Sequence, residues 1–154
     1  MPTIWRLVKT RYSQNAFDGE GSRLYGGRWS SPGTVVAYGS ESAALAILEV
    51  LVHLQSADTL RSFSIASAQV PDELVENLET KHLPPTWKQS PPSSETQAVG
   101  DAWARAGRST VLRVPSVILD AAYNYLLNPA HPGFAAVKVG KPRRFDLDSR
   151  LARQ

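Results

Sequence analysis

The run AALAILEVLV, Ala43 to Val52, constrains the fold more than any other stretch, because nine of its ten residues are apolar and the tenth, Glu49, is a carboxylate. A run of this length reads as a helix rather than a strand, and Glu41 just before it is favoured by the helix dipole. We expect a helix over about Glu41 to Gln55 with Ser40 as its N-cap. Such a helix must be covered on most sides, so the chain has to supply a sheet or further helices around it. Glu49 has two readings. It lies on a narrow solvent stripe, where glutamate is simply a good helix former, or it looks into a cleft between packed elements. Leu45 and Val52 flank it on the helix. Burying a lone carboxylate costs several kcal/mol or more, roughly, unless it is paired or protonated.

The chain can supply that cover. Its 154 residues are 42% hydrophobic and 20% charged, which fits one ordinary domain spanning 1–154 with a sizeable core. TIWRLV, TVVAY, RSFSIA and STVLRVPS read as strands, RSFSIA half-buried by its alternation, and AAVKVG and RRFDL give two more. PDELVENLE reads as a short amphipathic helix, and Glu95 to Ala106 as a longer one. Lys9 to Ser22, LPPTWKQSPPSS and the proline-punctuated AYNYLLNPAHPG read as loops or irregular chain. The elements mix without regular βαβ alternation, so the expected class is α+β: small mixed or antiparallel sheets with flanking helices.

Several function classes fall away. No run approaches the ~18 apolar residues of a membrane span, and MPTIWRLVKT has neither the apolar core nor the cleavage motif of a signal peptide, so a cytoplasmic protein is expected. With no cysteine there is no thiolate metal site, and His53, His82 and His131 show no paired metal-ligand spacing, so no metal is expected. The formal charge of +3 is scattered apart from KPRR at Lys141 to Arg144, without a nucleic-acid-binding module, and suits an anionic small ligand. The glycine turn GGRWSSPG is neither a P-loop nor a dinucleotide fingerprint.

That turn holds the second candidate. Gly26 and Gly27 allow close backbone approach to a ligand, and Arg28 offers a planar fork that matches phosphate oxygens. Trp29 can stack or hold the loop down. An ordinary turn with a solvated arginine, or an Arg28–Glu49 salt bridge, are the plainer readings. Tyr38 has a ring suited to the core and a hydroxyl suited to a ligand. Ser116, after Pro115, lacks the surroundings of a hydrolase nucleophile and reads as a hydrogen-bonding residue.

Taken in order, GGRWSSPG, VVAYGSES, ALAILEVLVH, GDAW, LRVPS and NYLLNPAHPGF resemble the RES domain family over about residues 6–139. Asn128, Pro129, His131 and Pro132 match its Asn-Pro-x-His-Pro signature. The resemblance implies a fold related to ADP-ribosyltransferases and the toxin of a bacterial type II toxin–antitoxin system. The implied partner is an Xre-type helix-turn-helix antitoxin in a hetero-oligomer. NAD is implied as substrate rather than cofactor, degraded by hydrolysis or phosphorolysis with growth arrest. Transfer of ADP-ribose to a protein, or a non-catalytic NAD-binding module, are the alternatives. Glu49, Arg28 and Tyr38 are implied as catalytic, and Arg28, Tyr38, Ser116, Trp29 and Asn128 as NAD-binding. In that assignment Arg28 holds the phosphates, Tyr38 positions the nicotinamide end, Glu49 stabilises a cationic sugar and Ser116 binds ribose or phosphate.

Overall fold

The computed structural model describes residues 1–53, 63–145, 148 and 150. Its frame is an eight-stranded sheet, built from β1 (Thr3–Lys9), β2 (Ala37–Ser40), β3 (Phe63–Gln69), β4 (Val75–Asn77), β5 (Val111–Pro115), β6 (Tyr123–Leu127), β7 (Lys138–Val139) and β8 (Arg143–Phe145). The strand order is β4-β5-β6-β2-β1-β3-β7, with β8 also on β3. β4 runs parallel to β5 and the other pairs are antiparallel. Among the described residues three α-helices accompany it: α1 (Glu20–Tyr25), α2 (Ala43–Leu51) and α3 (Ser94–Ala106). The class is α+β, as the mixed order of elements implies.

The sheet is two half-sheets joined by a narrow seam. β1 and β3 pair from Thr3↔Gln69 through to Lys9↔Phe63, and β2, β6 and β5 are in similarly continuous register. Between β1 and β2 only Trp5↔Ser40 is aligned. Arg6 reinforces the seam, its Nη1 donating to the Tyr38 carbonyl at 2.8 Å. Burial lowers the pKa of this guanidinium, with Asp18 and Tyr38 opposing the shift, and Arg6 Nε is buried without a hydrogen-bond partner among the described residues. An arginine kept this dry is expensive unless its fork is used.

The alternation of strand side chains sorts the core. Ala37, Tyr125, Leu127 and Val111 pack on one face with Ile4, Phe17, Ala66 and Ala68. Leu112, Val114 and Leu126 pack on the other with Trp29 and Trp103. A third cluster of Leu7, Phe63 and Ile65 lies under α2, where Ile47 and Val50 cover it.

Several local expectations are corrected. AYNYLLNP is not irregular: it contains β6, buried on both faces, so its side chains show no polar alternation to read. PDELVENLE is a short 3-10 turn followed by β4, because Val75 and Leu78 are needed on opposite faces of the sheet edge. Lys9 to Ser22 holds a 3-10 turn over Thr10–Asn15 and the start of α1, where Asp18 Oδ1, just before the Gly19 N-cap, accepts from Glu20 N at 2.9 Å. The strand expected at Thr34–Tyr38 sits later, at Ala37–Ser40. Pairing with β6 continues through Ser40 and on to Glu41 N, which donates to the Tyr123 carbonyl, so the helix starts two residues later than expected, with Ser42 capping Leu45 N at 3.0 Å. The helix also stops earlier than expected, at Leu51 with Val52 as its C-cap and His53 in a turn, while Leu54 and Gln55 lie outside the described residues, as do Arg61, Ser62, Asp146 and Leu147 of two expected strands. β3 is buried along Phe63 to Ala66 rather than half-buried, its serine and alanine side chains being small enough to pack between layers. No helix of the described residues is long and apolar enough to cross a membrane.

Candidate functional site

α2 (Ala43–Leu51) carries Glu49. Leu48 and Val52 are 37% and 58% exposed, so the stripe that meets solvent is apolar. The lone carboxylate points inward. Glu49 lies four residues after buried Leu45, on the side of the helix that faces the sheet. There Asn124 Nδ2 donates to Glu49 Oε1 at 2.6 Å and Ser116 Oγ donates to the same oxygen at 3.2 Å. Oε2 has no hydrogen-bond partner among the described residues. Glu49 is thus half-buried, bound through one oxygen and open at the other.

Ser116 is committed within the protein. Its hydroxyl proton goes to Glu49, and its lone pairs accept from Ile118 N at 3.1 Å and Leu119 N at 3.3 Å. A hydroxyl has one proton and two lone pairs, so the capacity of Ser116 is filled. The side chain is buried, and its position suits it to orienting the carboxylate.

Arg28 reaches the site from the glycine turn. Its Nη1 donates to the carbonyls of Trp87 at 2.9 Å and Gln89 at 2.7 Å, and its Nη2 to Ser90 Oγ at 3.1 Å. No Arg28–Glu49 ion pair forms among the described residues, but the charges sense each other. Burial lowers the Arg28 pKa, while the Glu49 carboxylate and Tyr38 pull it back up. The proline- and serine-rich surface loop therefore does more than connect: its backbone carbonyls hold the guanidinium at one edge.

Trp29 and Tyr38 build the frame beneath. The Trp29 ring is 2% exposed, inside the core, and stacks against Trp87 at 6.1 Å between centroids. That contact fixes the residue whose carbonyl clasps Arg28. The Tyr38 hydroxyl accepts from Trp29 N at 3.1 Å and shares a hydrogen bond with Ser30 Oγ at 2.7 Å. Burial pushes the Tyr38 pKa up to about 12, against the opposing pull of these bonds. Gly27 makes this possible, since a Cβ there would lie 2.6 Å from the Tyr38 hydroxyl. The hydroxyl is occupied with the turn, and the side chain is half-buried.

α3 holds the turn from behind, which accounts for the GDAW stretch. A Cβ on Gly100 would overlap the Trp29 carbonyl, so only glycine lets the helix come this close. Asp101 accepts from Ser31 N at 3.0 Å and from Ser31 Oγ at 2.5 Å. Trp103 donates to Ser109 Oγ at 2.8 Å. Burial raises the Asp101 pKa, but the hydrogen bonds from Ser31 and Thr34 outweigh it and the net shift is downward. A carboxyl with a depressed folded pKa contributes stability above the ordinary aspartate range, and that contribution is lost as pH falls through the folded value. Asp101→Asn is accordingly expected to cost about 1–3 kcal/mol near neutral pH. The gap to the unsubstituted protein should narrow below about pH 4; urea unfolding of both proteins across that range checks it.

Asn128 stands apart from these residues. It follows β6, four residues beyond Asn124, which is about 13 Å along a strand. Its Oδ1 accepts from Ala130 N at 3.0 Å and its Nδ2 donates to the Ala104 carbonyl at 3.5 Å. His131 continues the same turn, where its Nδ1 accepts from Gly133 N at 2.9 Å and pairs with Thr110 Oγ1. With Nδ1 accepting, Nε2 carries the proton and donates to the Gly107 carbonyl at 3.0 Å. In the structure the Asn-Pro-x-His-Pro signature ties β6 to the end of α3, while Arg28, Tyr38, Glu49 and Ser116 converge.

Sequence reading missed Asn124 and Arg6. For Asn124 the available signal was one amide in an otherwise aromatic and aliphatic strand, YNYLL. For Arg6 it was a cation in the middle of an opening strand.

The chain is similar to known proteins in sequence and in fold. The model of the RES domain family matches residues 3–148. The chain is 35% identical over 151 residues to the protein named Toxin Res of Photorhabdus laumondii subsp. laumondii, covering 97% of each. It is 34% identical over 157 residues to the Prs ADP-ribosylating toxin of a Sphingobium species, covering 99% of this chain and 98% of that protein. Among solved structures, one from the M. tuberculosis MbcT-MbcA toxin-antitoxin complex superposes with a TM-score of 0.75 at 23% identity, covering 97% of this chain and 86% of the other, a likeness of fold.

Proposed function

The chain belongs to the RES domain family, and from that premise we propose that it is the toxin of a type II toxin–antitoxin system which consumes NAD by cleaving its nicotinamide–ribose bond. The observation that carries the reading is the half-bound carboxylate of Glu49, close enough to a clasped arginine to oppose the lowering of its pKa by burial. NAD asks for both. Its pyrophosphate needs a planar cation, and its glycosidic bond breaks through a cationic, oxocarbenium-like sugar.

In this reading Arg28 binds the pyrophosphate with the edge of its fork that the loop carbonyls leave over. The Tyr38 ring lies against the nicotinamide end. Glu49 Oε2 accepts from a ribose hydroxyl and stabilises the positive charge that grows on the sugar as nicotinamide departs with the bonding electron pair. Water or phosphate then attacks the anomeric carbon and loses a proton. Ser116 orients Glu49, and Trp29 and Asn128 belong to the framework. A cytoplasmic location follows from where this substrate is found.

A second reading, transfer of ADP-ribose to a protein, is favoured by the name of the Sphingobium relative. It uses the same first half-reaction with a protein side chain in place of water. A toxin also needs an inhibitor, for which we propose an Xre-type antitoxin. The exposed apolar Leu48, Val52, Ile118 and Leu119 flank the Glu49–Ser116 contact and suit a partner that covers the site.

The deciding experiment incubates the purified protein with NAD, with and without inorganic phosphate, and identifies products by mass. Free nicotinamide with ADP-ribose indicates hydrolysis, and a phosphorylated ADP-ribose appearing only with phosphate indicates phosphorolysis. Intact NAD in both incubations, with no labelled acceptor protein in a lysate given radiolabelled NAD, overturns the reading.

A further inference from the structure

We infer that Asn124 is a positioning residue for Glu49, held in place by Ser40, so that a Ser40–Asn124–Glu49 relay aims the carboxylate's second oxygen at the substrate. The inference rests on the reading of Glu49 as the group that stabilises the cationic sugar.

Hydrogen-bond accounting fixes the direction of the relay. A carboxylate only accepts, so the amide nitrogen of Asn124 must face Glu49, at 2.6 Å. Its Oδ1 therefore faces Ser40, whose Oγ must be the donor, at 2.7 Å. Ser40 and Asn124 lie directly opposite in the β2–β6 register, so the backbone ladder holds the pair together. Ser40 is 3% exposed, which leaves its hydroxyl few other partners. The amide cannot flip without placing its oxygen against the Glu49 carboxylate, whereas the Ser40 hydroxyl could turn to accept from a flipped NH2. The Glu49 contact therefore sets which way the amide faces, and the Ser40 bond holds the amide in place.

The relay does two things at Glu49. It supplies the shorter of the two bonds to Oε1, and Ser116 supplies the other from a different strand end. Two donors from separate elements restrict the carboxylate's rotation about its last torsion, which is otherwise soft. They also occupy one oxygen and leave the other to the ligand. A group that must stabilise charge at a defined atom gains most from this kind of prior orientation.

The test uses Asn124→Ala, Asn124→Asp and Ser40→Ala beside the unsubstituted protein and Glu49→Gln, with NAD turnover measured from about pH 6 to 9, NAD affinity by calorimetry and folding by circular dichroism. Asn124→Ala should lower kcat by about 10²-fold and leave NAD affinity within about three-fold, because the relay acts on Glu49 rather than on bound NAD. Ser40→Ala should give a smaller loss, about three- to ten-fold, since the amide is freed but present.

Asn124→Asp is the informative variant. Two carboxylates at hydrogen-bond distance hold a shared proton to higher pH than either would alone. While that proton is shared, the introduced carboxyl donates to Glu49 much as the amide does. As pH rises and the proton leaves, the donor becomes a like charge. Activity of this variant should therefore be partly rescued at the acid end and fall towards alkaline pH, a slope absent from the unsubstituted protein and from Asn124→Ala. A residue that only supported the fold would not produce that profile.

Turnover lost in Glu49→Gln but kept within two-fold in folded Asn124→Ala overturns the role of Asn124 alone, as does an Asn124→Asp profile parallel to that of the unsubstituted protein. If Asn124→Ala does not fold, the Asn124→Asp profile decides. An unsubstituted protein that turns over no NAD overturns the functional reading, and this inference with it.

Discussion

Glu49→Gln is expected to lower kcat for NAD turnover by about 10²–10³-fold while NAD binding changes little. The substitution keeps the size of the side chain and one acceptor oxygen. What it removes is the negative charge, and the charge matters most when the sugar is cationic, which it is only in the transition state. The structure sharpens the expectation. Oε1 takes hydrogen bonds from Asn124 and Ser116, so a glutamine carbonyl would occupy that position and turn its NH2 towards the ligand. A donor and partial positive charge would then sit where an acceptor is needed. Steady-state kinetics and NAD titration calorimetry, with circular dichroism to confirm folding, check this. A near-unchanged kcat would mean that Glu49 is a structural partner of Asn124 and Ser116 and nothing more.

Arg28→Ala should act differently, raising KM by about 10- to 100-fold, the worth of one or two charge-assisted hydrogen bonds. The phosphates carry their charge before and after the bond breaks, so this contact belongs to ground state and transition state alike. A fall in kcat should accompany it, because Arg28 also tethers the loop through the Trp87 and Gln89 carbonyls and Ser90 Oγ. Arg28→Lys should restore only part of the binding. A single ammonium cannot hold two carbonyls on one edge and present a planar pair of donors on the other. Ser90→Ala removes one loop contact and leaves the fork intact, so its KM should stay within about two-fold of the unsubstituted value; a rise matching that of Arg28→Ala would show that the loop, and not the phosphate contact, sets affinity.

What could be read in the sequence was read where chemistry and chain position coincide. Arg28, Tyr38 and Glu49 lie close together along the chain, each an unlike residue in its surroundings, and the order of their motifs with the later GDAW, LRVPS and NYLLNPAHPGF carried the family resemblance. Asn124 was hidden because β6 is buried on both faces, so a polar residue there looks like one more irregularity in a segment with no period. Arg6 was hidden for another reason: its partner is the Tyr38 backbone carbonyl, and a carbonyl leaves no mark on sequence. The start of α2 was misplaced because Ser40 and Ser42 are both good caps, and only the β2–β6 register shows that Ser40 is still in a strand. Trp29 and Asn128 follow the same logic, since a motif names positions that must stay fixed without separating those that face a ligand from those that hold the frame.

The two donors that aim Glu49 have a consequence for how the protein is made. They lie 67 and 75 residues after it in the chain, at Ser116 and Asn124. A ribosome adding about 5–20 residues each second needs several seconds to cover that stretch. During that interval the growing chain already contains Arg28, Tyr38 and Glu49, but β6 does not yet exist to receive β2, nor β5 to pair with β6. The first half is born chemically unarmed. The site closes only when the late strands emerge and pair, and such distant pairings are slow to form. For a chain that would harm the cell producing it, the delay leaves a window, set by topology alone, in which a separately made inhibitor can be waiting.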